Sequence, residues 1–225
     1  MRSRNADRYD LDADAVDYNE RVADEEVIIR RGYAACLRAL SEDLIRTARP
    51  DDLPITDLGA GTGTLLRTLP PDRPAVAVDR SRAMLERAAA ALTGRPVTFV
   101  HEDLLAYVTE SDHPLGHVVS TFALHCLFSD EKTALLEAVG RRLHPGALLA
   151  IGDLGFADTT ARERFLGRLD AAPHRSATTA QEHYWDWSSA ESTLQALGFR
   201  VRRRTHGPLI GSLVAVRDPK LPSSR

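Results

Sequence analysis

The run Ile55-Thr56-Asp57-Leu58-Gly59-Ala60-Gly61-Thr62-Gly63 carries the strongest chemical signal in this chain. An apolar strand enters a turn with glycine at every second position and leaves into a helix. Glycines let the main chain turn tightly and let a ligand lie against backbone. Asp79 closes a second apolar strand, Ala75-Val76-Ala77-Val78, 22 positions after Asp57. An acidic side chain about 20 positions beyond such a turn is placed to accept hydrogen bonds from a ribose diol. The same residue also suits the start of a helix through Ser81-Arg82-Ala83-Met84. Asp103 follows a third strand, Pro96–Val100. It is placed to reach an adenine amino group, or alternatively to cap the short segment Leu104–Val108.

The dinucleotide fingerprint sets its third glycine three positions after the second. Here the spacing is Gly59-x-Gly61-x-Gly63, with Asp57 just ahead of it. A carboxylate at the strand end repels a pyrophosphate and suits an ammonium group. Both features point away from NAD and toward S-adenosylmethionine. At these residues the sequence resembles the class I S-adenosylmethionine-dependent methyltransferases. Asp57 to Gly63 is similar to their first motif, Asp79 to the acidic residue of their second strand, and Asp103 to that of their third. The likeness runs from about Asp51 to Arg217. It implies a Rossmann-like sheet of seven strands in the order 3-2-1-4-5-7-6, strand seven antiparallel. It also implies that Gly59, Ala60, Gly61 and Gly63 pack against the methionine and ribose portions and that Asp79 takes the ribose hydroxyls. Asp103 and Leu104 would flank adenine, Arg80 and Met84 would line its other side, and Thr121 and Phe122 would sit near the sulfonium. In similar enzymes the N-terminal region folds over the cofactor as a cap, which brings in Tyr18, with Tyr9 as the lesser candidate.

Ser120-Thr121-Phe122-Ala123-Leu124-His125-Cys126-Leu127, followed by Ser129-Asp130-Glu131-Lys132, is similar to small-molecule methyltransferases of the ubiquinone and YrrT-like type. Those often carry a His-His pair where this chain has His125 and Cys126. The Asn/Asp-Pro-Pro-Tyr tetrapeptide of amino-methylating nucleic-acid enzymes is absent. The resemblance therefore implies methyl transfer to O, N or C of a small-molecule acceptor, with S-adenosylhomocysteine as product. The rival is a protein of the same fold that serves as a complex partner or performs a non-methylating step, such as ring closure or elimination.

Alternating strands and helices must hold these residues, which argues for a doubly wound α/β sheet covered on both faces. The expected strands are Ile55–Leu58, Ala75–Val78, Pro96–Val100, His117–Phe122, Ala147–Gly152, Phe199–Thr205 and Leu209–Val216. The last two have only a short turn between them, so they form an antiparallel hairpin. Helices are expected from about Asp24 to Ala48, then Thr64–Leu69, Ser81–Leu92, Ser129–Arg142 with Ser129 as N-cap, Thr159–Leu169 and Ser188–Leu197. The chain divides into an N-terminal helical cap (1–50), a catalytic domain (51–217) with a lid at 157–197 between strands five and six, and a tail (218–225).

Ligands of open α/β sheets bind beyond the carboxyl ends of the strands. His125 after strand four and Asp153 after strand five fall there. A histidine can take a hydroxyl or amine proton because its pKa lies near neutrality; it can equally order a loop. Asp153 can be an acid–base group or a cap. His183-Tyr184-Trp185 in the lid can wall a substrate pocket or pack the lid on the core, and His174 lies in the same lid. Arg30 and Arg31 can bind an anionic acceptor or face solvent. The three arginines Arg202, Arg203 and Arg204 read as charged positions near a sheet edge.

Composition sets the outer bounds. The chain has 225 residues, a net charge of −3 and 43% hydrophobic residues, ordinary for one large globular domain. No basic excess suggests nucleic acid. No apolar run is long enough for a membrane span, and the first residues lack a signal-peptide core, so the cytoplasm is expected. Cys36 and Cys126 suggest neither a disulfide framework nor a zinc site. A homodimer or a heteromeric partner is compatible with the composition. High Ala, Arg and Asp usage fits a GC-rich bacterium and a role in natural product biosynthesis.

Overall fold

The computed structural model describes residues 1–4, 18–24, 26, 28–49, 53–170 and 183–217. Tyr9, His174 and the tail 218–225 lie outside the described residues. The strands are β1 (Ile55–Leu58), β2 (Ala75–Asp79), β3 (Val97–His101), β4 (Val118–Thr121), β5 (Leu148–Phe156), β6 (Trp185–Asp186), β7 (Phe199–Thr205) and β8 (Ile210–Arg217). They order as β3-β2-β1-β4-β5-β8-β7. Pairing is parallel from β3 through β5, while β8 lies antiparallel between β5 and β7. This is the expected sheet. The two-residue β6, paired with the end of β5 at Gly155 and Phe156, shifts the numbering of the last two strands by one.

The central strands are near-continuous apolar runs because both faces of the sheet are covered. Leu37, Leu40 and Leu44 of α2 (Tyr33–Thr47) and Leu85 and Ala88 of α3 (Arg82–Ala91) build one core layer. Leu105 and Val108 of α4 (Leu104–Thr109), Leu135, Leu136 and Val139 of α5 (Ser129–Arg142), and Leu194 of α7 (Trp187–Ala196) build the other. A short helix α1 (Tyr18–Ala23) precedes α2, and α6 (Thr159–Asp170) follows β5.

Four sequence expectations are corrected. The first long helix begins at Tyr33 rather than near Asp24, after a single 3-10 turn at Ile28–Arg30. Gly32, at φ 100°, breaks it: a β-carbon there would lie 2.2 Å from the His206 carbonyl oxygen in the β7–β8 turn. The helix expected over Thr64–Leu69 is one 3-10 turn at Leu66–Thr68, cut short by Pro70 and Pro71. Phe128, not Ser129, holds the N-cap position of α5, because the Glu131 carboxylate accepts the Phe128 N–H at 2.8 Å. Finally, β5 runs on to Phe156 because β8 pairs with it from Leu148 to Leu154. Asp153 therefore lies inside the strand and not after it.

The arginines of β7 have a structural partner. Asp43 of α2 is fully buried, and its carboxylate accepts from Arg202 at 2.8 Å, Arg204 at 2.7 Å, and Arg46. These bonds tie α2 to the edge strand. Asp43→Ala should cost about 1–2 kcal/mol, because the half-exposed arginines it abandons stay hydrated. A thermal melt should show a loss of several degrees, whereas an unchanged melt would remove the network from the stability account.

Candidate functional site

The carboxyl ends of β1, β2, β4 and β5 open into a cavity of about 270 Å³. Its floor is Gly59 and Gly61 from the turn after β1. One side is Asp79, Arg80 and Met84, and the neighbouring end is Asp103 and Leu104. Phe122, Ala123, His125, Cys126 and Leu127 after β4, with Leu154 of β5, form the opposite wall. Ser3, Tyr18, Ile29, Arg30 and Tyr33 lie over it from the N-terminal region.

Gly59 adopts φ 75°, and a β-carbon on it would sit 2.3 Å from that of Ala123, so the turn and the β4 loop touch main chain to side chain. Nothing lies within 4 Å of where a Gly61 β-carbon would be, so that backbone faces open cavity. Asp79 is held at the edge of this space. Its Oδ2 accepts the Gly61 N–H at 2.8 Å and its Oδ1 the Ser81 N–H at 2.9 Å. A carboxylate has about four lone-pair sites, so acceptor capacity beyond these backbone donors is left for a ligand. Burial pushes its pKa up, and the backbone donors at Ser81 and Gly61 oppose that. Ser81 also caps α3 by accepting the Met84 N–H, which sets the Met84 side of the cavity.

Asp57 lies beneath the turn, fully buried and off the cavity wall, and its Oδ1 has no hydrogen-bond partner. Burial, and then the neighbouring charge of Asp79, pushes its pKa up to about 7. A carboxyl whose folded pKa exceeds its unfolded value of about 4 favours the folded state below pH 4 and loses that contribution as pH rises through 7. Asp57→Asn should therefore flatten the decline in stability between about pH 4 and 7, by on the order of a few kcal/mol. Parallel pH slopes for wild type and variant would disprove the shift.

The opposite wall carries the acid–base groups. Asp153 is fully buried; its Oδ1 lies 2.7 Å from His125 Nδ1, and its Oδ2 accepts the His125 N–H at 2.8 Å. Burial of the imidazole opposes its charge, but Asp153, helped by a hydrogen bond with Cys126, holds the pKa well above 6.5. Lys132 is buried behind this pair, donates to the His183 carbonyl, and stands 4.7 Å over the Trp185 ring. Burial lowers its pKa to about 8, against the pull of Asp153 and Cys126. Phe122 has φ 53°, the left-handed region that a bulky side chain enters at a cost. Its N–H bonds to Gly152 O at 2.8 Å and its ring packs 4.6 Å from Tyr33, which aims it into the cavity.

The cavity thus gathers Tyr18, Gly59, Gly61, Asp79, Arg80, Met84, Asp103, Leu104, Phe122, His125 and Arg30. Other residues singled out from the sequence stand behind it. Ala60 packs in the core, Gly63 backs onto Leu92 of the α3 region, and Thr121 ends β4 beneath Phe122. Arg31 is exposed. His183 donates its N–H to His125 O at 2.7 Å and places its ring 4.1 Å from Phe128. Tyr184 meets Phe156 edge-on at 5.5 Å. Trp185 is core, stacked on Trp187 at 5.5 Å. Sequence reasoning passed over Ser3, Ile29, Tyr33, Ala123, Leu127 and Leu154 on the cavity wall. It also missed Asn19, whose side chain accepts from Thr62 at 2.6 Å and docks α1 on the glycine turn. Ala123 and Leu127 lie within the Ser120–Leu127 run without a role attached to them, and the others belong to no local motif. An odd lysine among the apolar positions of α5 was the one available hint of the buried Lys132.

A family model described as a methyltransferase domain matches residues 55–146. The uncharacterized methyltransferase GK2543 of Geobacillus kaustophilus is 32% identical over 108 residues, 48% of this chain and 49% of that protein. The uncharacterized methyltransferase YrrT of Bacillus subtilis is 24% identical over 188 residues, 82% of this chain and 87% of that one. The chain thus spans about half of GK2543 but most of YrrT. Among solved structures, magnesium protoporphyrin IX methyltransferase from Synechocystis, with bound S-adenosylhomocysteine, shares the fold at TM-score 0.68 and 16% identity, covering 92% of this chain and 96% of that one.

Proposed function

We propose that this chain, which belongs to the class I S-adenosylmethionine-dependent methyltransferases by its motif and its fold, transfers the methyl group of S-adenosylmethionine to a small-molecule acceptor. One observation carries the reading. Asp79, fixed by the Gly61 and Ser81 N–H groups, turns its remaining lone pairs into a cavity whose floor is bare glycine backbone. That is the arrangement a ribose diol needs, with the rest of the nucleoside lying toward Met84, Leu104 and Asp103.

The unpaired Oδ1 of Asp57 fits a cationic ligand above it, since a buried carboxylate is stabilised by nearby positive charge. When bound, S-adenosylmethionine supplies an already activated methyl on a sulfonium. The protein's part is then to orient, to exclude water and to manage one proton. Phe122, Tyr18, Tyr33 and Leu154 exclude water around the reacting end. His125 is the proton acceptor, its Nδ1–H donated to Asp153 so that Nε2 serves the acceptor. An acceptor with an ionisable O–H or N–H suits that base, and Arg30 on the wall suits an anionic group on the same molecule.

Titration calorimetry with S-adenosylmethionine tests the cofactor, and mass analysis of the products tests the reaction. Saturable binding, then S-adenosylhomocysteine together with an acceptor heavier by one methylene, is the expected result. Folded protein that binds nothing would refute the cofactor reading. Binding with a converted but unmethylated acceptor would favour a non-methylating step.

A further inference from the structure

Ser3 lies at the Asp103 end of the cavity, on the wall itself. Its hydroxyl is 2.5 Å from Asp103 Oδ2 and its N–H is 3.1 Å from Oδ1. The same Oδ1 accepts the N–H groups of Leu105 and Ala106, both at 3.1 Å, as the cap of α4. Protein donors therefore already engage both oxygens of Asp103. An ionised carboxylate only accepts hydrogen bonds, so the Ser3 hydroxyl must donate its proton to Asp103. The Ser3 oxygen is left with lone pairs alone to offer the cavity: it can accept there but cannot donate.

Ser3 is held in place by its neighbour. The Arg4 N–H and Nε donate to Glu131 Oε1 at 2.7 and 3.1 Å, and its guanidinium lies 4.1 Å from the centre of the Phe128 ring. Glu131 is fully buried and is fixed in turn by the Phe128 N–H.

We propose that Ser3 is a specificity-determining residue that reads the 6-position of the purine. With its proton locked on Asp103, its oxygen accepts a hydrogen bond from a 6-amino group and repels a 6-oxo group. The proposal rests on the cofactor reading above and assigns the base discrimination within it.

The test measures binding of S-adenosylhomocysteine and S-inosylhomocysteine to the full chain, with Asp79→Ala as reference. Wild type should prefer the adenosyl compound by about tenfold or more, since an acceptor covered by the base and facing another acceptor is left unpaired. Ser3→Ala should lose most of that preference through weaker adenosyl binding, and Ser3→Thr, which keeps the hydroxyl, should restore it. Asp79→Ala should weaken both compounds alike. A Ser3→Ala protein with the wild-type preference would overturn the assignment. So would one that binds the adenosyl compound more tightly, because Ser3 would then be competing with adenine for Asp103. If wild type binds neither compound, the cofactor reading itself fails and takes this proposal with it.

Discussion

Asp79→Ala is expected to weaken S-adenosylmethionine binding by about 100-fold or more. The carboxylate offers two charge-assisted acceptors to a ribose diol, each worth roughly 1.5–3 kcal/mol when the alternative is a buried, unpaired hydroxyl. Two such bonds correspond to at least two decades in Kd. The alanine also strips the Gly61 and Ser81 N–H groups of their partner, so the glycine turn loses the strut that holds it open. Asp79→Asn is the milder change. Its amide oxygen still accepts from one of the two backbone N–H groups, but the amide nitrogen meets the other donor to donor, and the ribose is offered fewer acceptors. A loss of about tenfold is expected. The variants should remain folded because Asp79 is at a strand end and not in either core layer. Removing the charge should also let the Asp57 pKa fall, since Asp79 is one of the two influences that raise it. Calorimetry on the three proteins decides the matter. Equal affinities would take the ribose away from Asp79 and leave the cavity without an assigned ligand.

How much of this was legible in advance depends on how local each signal is. The strands and the closing hairpin follow from runs such as Ala75–Asp79 and from the short link between β7 and β8, because apolar strands and turn lengths are written in adjacent residues, while the order of the sheet came with the family resemblance. The glycine turn and Asp79 were legible for the same reason. The length of β5 was not. Asp153-Leu154-Gly155 reads as lying past the strand, and it stays extended because β8 supplies a partner for Asp153 and Leu154 from more than 50 positions away. Asp103 had two competing readings, a cap or an adenine contact. The structure places it in a position compatible with both, capping α4 through Oδ1 while standing on the cavity wall. The roof was legible only in part, through Tyr18 and Arg30. Ser3, Ile29 and Tyr33 reach the cavity through tertiary packing alone, without a periodicity or motif to mark them. Trp185 also had two readings, a pocket wall or lid packing, and the stacked pair Trp185 and Trp187 is buried in the core.

His125→Gln is expected to lower turnover by about 100-fold or more while changing S-adenosylmethionine affinity only a few-fold, the usual worth of a positioned general base. The pH dependence makes the assignment sharper. His125 is held protonated well above its ordinary pKa by Asp153, and a protonated imidazole cannot accept a proton. Wild-type turnover should therefore climb with pH through a value above 6.5 before levelling. Asp153→Asn removes the negative charge and keeps one acceptor oxygen, which in the Oδ1 position still accepts from the imidazole Nδ1 and the Leu154 N–H, while the amide nitrogen in the Oδ2 position gives up the His125 main-chain N–H. Without that charge, burial is opposed by Cys126 alone and the imidazole pKa falls. The acid limb of the pH profile should move to lower pH. The plateau should drop by about tenfold or more, because the weaker base and its lost orientation both raise the barrier. Opposite movements of limb and plateau are what a purely structural Asp153 would not produce: misfolding lowers the whole profile without shifting it. Should turnover in His125→Gln match wild type, methyl transfer here would need no base, and the cavity would act by positioning and water exclusion alone.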